Sequence, residues 1–367
     1  MKKLFTPGPL NTSTKVKQAM LMDVGSRDIE FINAVKEIRI QLLHLANVNP
    51  NNYSTVIIQG SGTFGVESVI SSALKPTDTL LVLINGAYGE RILRIANTHK
   101  INTEVLRFEE NEQVNINDVE AILKQKSNIT HIAIIHSETT TGLFNPIEEI
   151  GELSRKYNKT YIVDAMSSFG GVKMEIEKSD IDFLISSSNK CIEGVPGFSF
   201  AICKTNSLKK CEANAKTVSL DLYEQWKGLE QNGQFRFTPP TLAIMAFQQA
   251  INELIVEGGV VAREQRYKNN QRVLLEGTRA LGLEEYLPRE IQGHIINSFL
   301  YPKNNNFNFD NFYKKLNEKG CVIYPGKLSK VDAFRIGNIG QLYEEDMKYL
   351  VNCMEEILTK KKITATV

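Results

Sequence analysis

Seven short apolar runs punctuate the first two thirds of the chain. They fall at 55–59 (TVIIQ), 79–84 (TLLVLI), 104–108 (EVLRF), 131–136 (HIAIIH), 160–164 (TYIVD), 182–186 (DFLIS) and 198–204 (FSFAICK). Several are continuous rather than alternating, the pattern of strands buried on both faces. Helical patterns lie between them. Phe31, Val35, Ile38, Leu42 and Leu45 step by three and four, which makes one apolar stripe. Segments 115–126 and 146–157 are similar, the second opened by Asn145 as N-cap and Pro146 in the first turn. Strands alternating with helices predict an α/β fold with a mostly parallel seven-stranded sheet.

A long helical stretch follows, over 241–281, and the texture then changes. An Asn-rich loop (KNNNFN), a helix near 310–319, short strands around CVIYP and FRIGN, and a closing helix marked by Leu350, Met354 and Ile357 predict a smaller α+β unit. A chain of 367 residues suits about two domains of roughly 150 residues each. The boundary is placed between 275 and 276: an N-terminal arm with a large α/β domain over 1–275, and a small α+β domain over 276–367.

Composition mainly excludes. The net charge of +1 argues against a nucleic-acid partner, and the one basic run, Lys360–Lys362, reads as a solvated tail. Five cysteines, an odd number with no C-x-x-C pair, argue against a disulfide framework or a zinc ribbon. The five histidines form no H-E-x-x-H pair, so no metal is expected. Pro7 and Pro9 interrupt any leader-like apolar stretch, and no run nears ~18 apolar residues. A soluble, cytoplasmic protein without a membrane partner is expected.

Three strand ends carry chemistry. After the first strand comes Gly60-Ser61-Gly62-Thr63-Phe64-Gly65, a match to G-x-G-x-x-G. A dinucleotide site also asks for an acidic residue about 20 positions on, but the next strand ends at Asn85. A single phosphate on a helix N-terminus, with hydroxyls from Ser61 and Thr63, is the simpler ligand. Asp164 ends the strand TYIVD, where open α/β sheets place ligand chemistry. Lys190 follows a buried strand, where desolvation favours the neutral amine. A phosphate anchor, a carboxylate and an amine together match what pyridoxal 5'-phosphate (PLP) requires.

With TPGPLNTS, GSGTFGVES, NGAYGER, HSETTTG, VDAMSSFGG, SSNKCIEGVPGFSF and FRIGNIG in this order, the chain resembles the class-V group of fold-type-I PLP enzymes along nearly its whole length. Within that group it looks most like the transaminases acting on 2-aminoethylphosphonate and pyruvate, with alanine–glyoxylate and serine–pyruvate transaminases as the alternative. The resemblance implies that Lys190 carries PLP as a Schiff base and that Asp164 partners the pyridine nitrogen. Ser61, Gly62 and Thr63 match the phosphate-binding turn, Tyr88 the ring that stacks on the cofactor, and Thr139 a hydroxyl near the cofactor's ring oxygen. Thr238, before Pro239-Pro240, matches a residue reaching the phosphate in a partner subunit, which implies a homodimer with active sites at the interface. Arg335, in FRIGN, matches the arginine that holds the substrate's anion. Gly8 and Arg27 are further expected substrate contacts. Gly25-Ser26-Arg27-Asp28 departs from the tryptophan-aspartate pair of many phosphonate transaminases and is closer to the glyoxylate and pyruvate relatives.

Overall fold

The apolar runs become one sheet because neither of their faces tolerates water. In the computed structural model, which describes residues 2–303, 307–326, 328 and 330–359, seven strands lie in the order Tyr53–Gln59, Phe198–Lys204, Phe183–Ser187, Thr160–Asp164, His131–Ile135, Thr79–Ile84, Asn102–Arg107. Pairing is parallel except around Phe198–Lys204, which runs antiparallel to both of its neighbours. The central strands are buried along their whole length, whereas the edge strand Asn102–Arg107 is half-exposed and mixes Glu104 and Arg107 with Val105 and Leu106. Register brings Ile135 opposite Asp164 and Asp164 opposite Ile185, so the aspartate is locked between two apolar neighbours.

Helices cover both faces. In Ile29–Leu45, the stripe Phe31, Val35, Ile38 and Leu42 is buried as its spacing predicts. Helix Ile116–Gln125 is capped by the Asn115 side chain, which accepts from the N–H groups of Asn117 and Asp118. The continuous helix expected over 241–281 is two helices, Thr241–Glu257 and Gly259–Ala280. They part at Gly258 (φ 112°) and Gly259 (φ 73°), left-handed conformations that suit glycine.

A second sheet, in the order Ile296–Leu300, Ala333–Gly337, Tyr324–Pro325, packs with helices Phe309–Glu318 and Glu344–Thr359 around its own apolar cluster. The N-terminal arm belongs to this cluster: Phe5 is fully buried in it, and Lys3–Leu4 pairs in parallel with Cys321–Val322. Helix Gly259–Ala280 spans both clusters, with Tyr267 in the larger and Val273, Leu274 and Leu275 in the smaller. The basic run at 360–362 and residues 304–306 of the Asn-rich loop lie outside the described residues. No described helix is long and apolar enough to cross a membrane, and all five cysteines are free and buried.

Candidate active site

Parallel strands end on the same side of a sheet, so turns remote in sequence meet there. Helix Gly62–Ala73 begins at that edge with Ser61 as N-cap, and no side chain caps its first turn. The first helical bond is that of Phe64 N to Ser61 O at 2.9 Å, so the N–H groups of Gly62 and Thr63 come before it and have no partner within the helix. Gly60 has φ 104°, and a β-carbon there would meet the Phe64 ring at 2.6 Å. A β-carbon on Gly62 would lie 2.4 Å from Met166 Sδ, so the backbone of this turn is exposed to whatever lies beside it.

These ends enclose a cavity of about 280 Å³ whose walls include Ser61, Gly62, Thr63, Tyr88, Thr139, Asp164 and Lys190. Asp164 is 6% exposed, and its Oδ1 accepts from Met166 N at 2.9 Å. Burial pushes its carboxyl up to about 6, against the pull of that N–H and of the charges on Arg91 and Lys190. Lys190 Nζ donates to the Pro7 carbonyl at 2.8 Å. Gly8, at φ 120°, leaves room for it, since a β-carbon there would sit 2.7 Å from Nζ.

The cavity also holds residues that the motifs did not single out. Arg91 lies with its guanidinium 4.7 Å from the centre of the Tyr88 ring, and its Nη1 donates to Thr63 Oγ1 at 3.2 Å. The signal was available, because Arg91 stands three positions after Tyr88 on one helix and such residues share a face. Ser137 and Ser187 also line the cavity, and their hydroxyls are buried without a protein partner. Buried polar atoms of that kind are expected to meet a bound molecule or water.

The threonine loop is fixed from behind by Glu138, which is fully buried. Its Oε1 accepts from Thr140 N at 3.0 Å and from Thr140 Oγ1 at 2.6 Å. Thr140 Oγ1 in turn accepts from Ala87 N at 3.1 Å, at the start of the helix that carries Tyr88. Burial raises the Glu138 carboxyl above its usual range. A β-carbon on Gly86 would come within 2.4 Å of that carboxyl carbon, so glycine makes its room. Arg335 is 3% exposed and stands behind the cavity wall, with Nη1 donating to Thr139 O at 2.7 Å and Nε to Pro325 O at 3.1 Å. Burial lowers its pKa, while Tyr88 and Glu138 oppose that.

Four expected residues do not line this cavity: Gly8 and Arg335 lie next to residues that do, whereas Thr238 and Arg27 are exposed. Asn145 is not the N-cap of the helix Ile147–Lys156; Pro146 holds that place. Asn145 is buried instead, and its amide exchanges two hydrogen bonds with Asn85, at 2.8 and 3.1 Å. It also donates to Ile135 O and accepts from Val114 N. A side chain with four hydrogen bonds to three partners inside the fold has none to spare for capping.

The donor set fits a phosphorylated aromatic aldehyde: a helix start for the phosphate, an acid for a ring nitrogen, an amine for the aldehyde and orphaned hydroxyls along the wall. No cluster of metal-ligating side chains occurs among the described residues.

The model of a family described as aminotransferase class-V matches residues 11–330. Two similar proteins are named 2-aminoethylphosphonate–pyruvate transaminase. The one from Lysinibacillus sphaericus is 49% identical and aligns over 98% of both chains. The one from Bacillus cytotoxicus is 52% identical over 96% of this chain and 97% of its own. Among solved structures, ureidoglycine–glyoxylate aminotransferase of Bacillus subtilis is similar in fold, with a TM-score of 0.90 at 22% identity over 99% of this chain and 94% of that one. Alanine–glyoxylate aminotransferase from Nostoc sp. gives a TM-score of 0.89 at 25% identity over 97% and 95% of the two chains.

Proposed function

This chain belongs to the class-V aminotransferases, and from that premise we propose that it transfers the amino group of 2-aminoethylphosphonate to pyruvate, giving phosphonoacetaldehyde and alanine. The observation that carries the chemistry is the convergence of Asp164, Lys190 and the turn at Ser61–Thr63 on one cavity. The substrate pair rests on the two named relatives, each about half identical over nearly the full length.

PLP supplies an electrophilic aldehyde and a ring that withdraws electrons from the reacting carbon. The protein supplies the rest. Ser61, Gly62 and Thr63 hold the phosphate, with Arg91 beside them as a further cation. Tyr88 covers a ring face, and Thr139 offers a hydroxyl to the ring oxygen. Asp164 keeps a proton on the ring nitrogen, and its burial makes that pairing strong because little water competes. With PLP bound, Lys190 would hold its aldehyde, and the Lys190 amine, once released by an amino substrate, would be the base for the proton on the substrate carbon.

Arg335 is assigned to the substrate's anion, a phosphonate in one half-reaction and a carboxylate in the other, and to offer its fork it must turn from the Thr139 and Pro325 carbonyls that it holds here. Gly8 and Arg27 are assigned to the same anion's surroundings. Thr238 reaches the cofactor phosphate of a second copy, so the working form is a homodimer in the cytoplasm. Exposure of Leu21, Met22, Ile29, Phe64 and Phe237 supports such a partner. The division at 275/276 belongs to the same proposal; two apolar clusters support two units, although Phe5 and Val273–Leu275 pack in the smaller one.

The test is a half-reaction. Purified holoenzyme is mixed with 2-aminoethylphosphonate, alanine or serine, and conversion of the cofactor to its amino form is followed by absorbance. Rapid conversion by the phosphonate and by alanine, with serine slow, is the expected result. Conversion by serine or alanine alone would move the assignment to the glyoxylate and pyruvate relatives.

A further inference from the structure

Residues 188–197 connect the strands Phe183–Ser187 and Phe198–Lys204, and Lys190 sits near the start of that connection. Three residues on, Glu193 is 2% exposed and has φ 67°, a left-handed conformation that residues with a β-carbon rarely adopt. Its N–H donates to the Lys190 carbonyl at 2.7 Å, so this kink closes the turn that presents the lysine. Strained backbone of this kind persists where the surroundings over-determine it.

The surroundings here are charged. A buried carboxylate needs cations and donors around it. Glu193 Oε1 accepts from Arg266 Nη2 at 2.7 Å and from Tyr267 Oη at 2.6 Å, with Arg263 Nη1 at 3.4 Å. Glu257 balances the second charge by pairing with both arginines. Arg263 and Tyr267 also hold the Cys191 carbonyl, the next peptide after Lys190. All three partners project from the helix Gly259–Ala280.

The contacts do not stop at that helix. Glu193 Oε2 accepts from Gln341 Nε2 at 2.6 Å, and Arg266 Nη1 donates to Gly340 O at 2.6 Å. Gln341 N donates to Asn11 O at 2.9 Å, and Gly337 N donates to Phe5 O at 3.0 Å. Between those two attachments of the N-terminal arm lies Pro7, whose carbonyl receives the Lys190 amine. A chain of contacts that leaves Lys190 through its backbone thus returns to Lys190 through its side chain.

We propose that Glu193 is a positioning residue for the Lys190 amine, tying the turn that carries the lysine to the arm that receives its Nζ. This rests on Lys190 being the reacting amine. If Glu193 served stability alone, the helix contacts would suffice. The bond to Gln341 is the direct link from Glu193 to the residue that holds the arm, beside the indirect one through Arg266 and the Gly340 carbonyl.

The experiment uses holoenzyme carrying Glu193→Gln or Gln341→Met, with Lys190→Ala as control. Glu193→Gln keeps the shape and removes the charge. Gln341→Met leaves the arginines balanced and removes the direct Glu193–Gln341 bond, together with the bond from the exposed Tyr343 hydroxyl, so it tests the proposal if the first variant folds poorly. Four readouts are taken: melting temperature, the kcat and KM split, the isotope effect with donor deuterated at the reacting carbon, and the pH at which the lysine-bound cofactor changes absorbance. A misplaced amine slows proton transfer more than binding, so kcat should fall on the order of tenfold in Gln341→Met, with KM within about twofold. The isotope effect should rise and the absorbance titration should move, while melting stays at the wild-type value. Wild-type kcat, isotope effect and titration in both variants would overturn the proposal. So would a kcat that falls only in step with melting temperature. An active Lys190→Ala enzyme would sink the lysine assignment itself; an inactive one beside unaltered Glu193 and Gln341 variants would sink only the positioning role.

Discussion

Asp164 shows how a single side chain can serve the site at the expense of the fold. A free aspartate ionises near 3.8, whereas burial holds this one protonated up to about 6. Above pH 6 both the folded and the unfolded chain carry the charge, but the folded chain carries it out of water, so the residue costs stability there. As pH falls from 6 towards 3.8 the folded form takes up a proton that the unfolded form lacks, and the cost is relieved. The whole swing is about 3 kcal/mol. Cofactor-free Asp164→Asn should therefore melt above the wild-type apoenzyme at pH 8, with the gap closing towards pH 4, while transaminase activity is lost. A melting difference that does not change with pH would contradict this account. Lys190→Ala should fold, melt near wild type and give no half-reaction with any amino donor.

Much at this scale was legible in the sequence. Asp164, Lys190 and the glycine turn announce themselves by position, each directly after a buried strand. Arg91 was readable by helical spacing but masked by its surface-like composition. Glu138 was not readable, because nothing in HSETTTG distinguishes a solvated acid from one sealed behind Gly86; only the packing decides.

At the scale of elements, continuous apolar runs located every strand of the main sheet to within two residues at either end, since burial on both faces leaves little freedom of register. Helix boundaries were less legible where side chains had competing partners. Asn145 has the composition of a cap, yet its amide serves Asn85, Ile135 and Val114 instead. Asn145→Ala should therefore destabilise the protein by about 2–3 kcal/mol, well beyond the loss of a cap, because buried donors and acceptors are left unpaired. Denaturant unfolding checks this; a loss below about 1 kcal/mol would return Asn145 to a minor role. Apolar periodicity runs straight through 241–281 and cannot report the break at Gly258. Gly258→Ala should cost about 1–2 kcal/mol, since its φ of 112° suits no residue with a side chain and the new β-carbon would lie 3.0 Å from Ala262. An unchanged unfolding midpoint would mean that the two helices can merge.

At the scale of the molecule, the amphipathic pattern foretold a smaller C-terminal unit but not that the N-terminal arm would be built into it. Phe5 alone gives no hint that it packs with residues more than 300 positions away. Assembly is also beyond pattern reading, because the exposed apolar residues are scattered through the sequence. If Thr238 serves a second copy, sedimentation should give twice the chain mass. Thr238→Ala should then weaken cofactor retention several-fold without changing the mass. A monomer with full activity would remove the role assigned to Thr238.

The glycine turn follows the strand Tyr53–Gln59, which occupies one edge of the main sheet, and its sole neighbour there is Phe198–Lys204. Nearly 140 residues separate the two, so this pairing closes a long loop and is intrinsically slow to form. A chain emerging from the ribosome exposes Ser61 and Thr63 early, yet it cannot seat them opposite Asp164 until residue 204 has followed. The antiparallel pairing therefore makes the seating of the phosphate anchor depend on residues that follow Lys190 and its turn in the chain. A nascent chain truncated before residue 198 should leave the cofactor in solution.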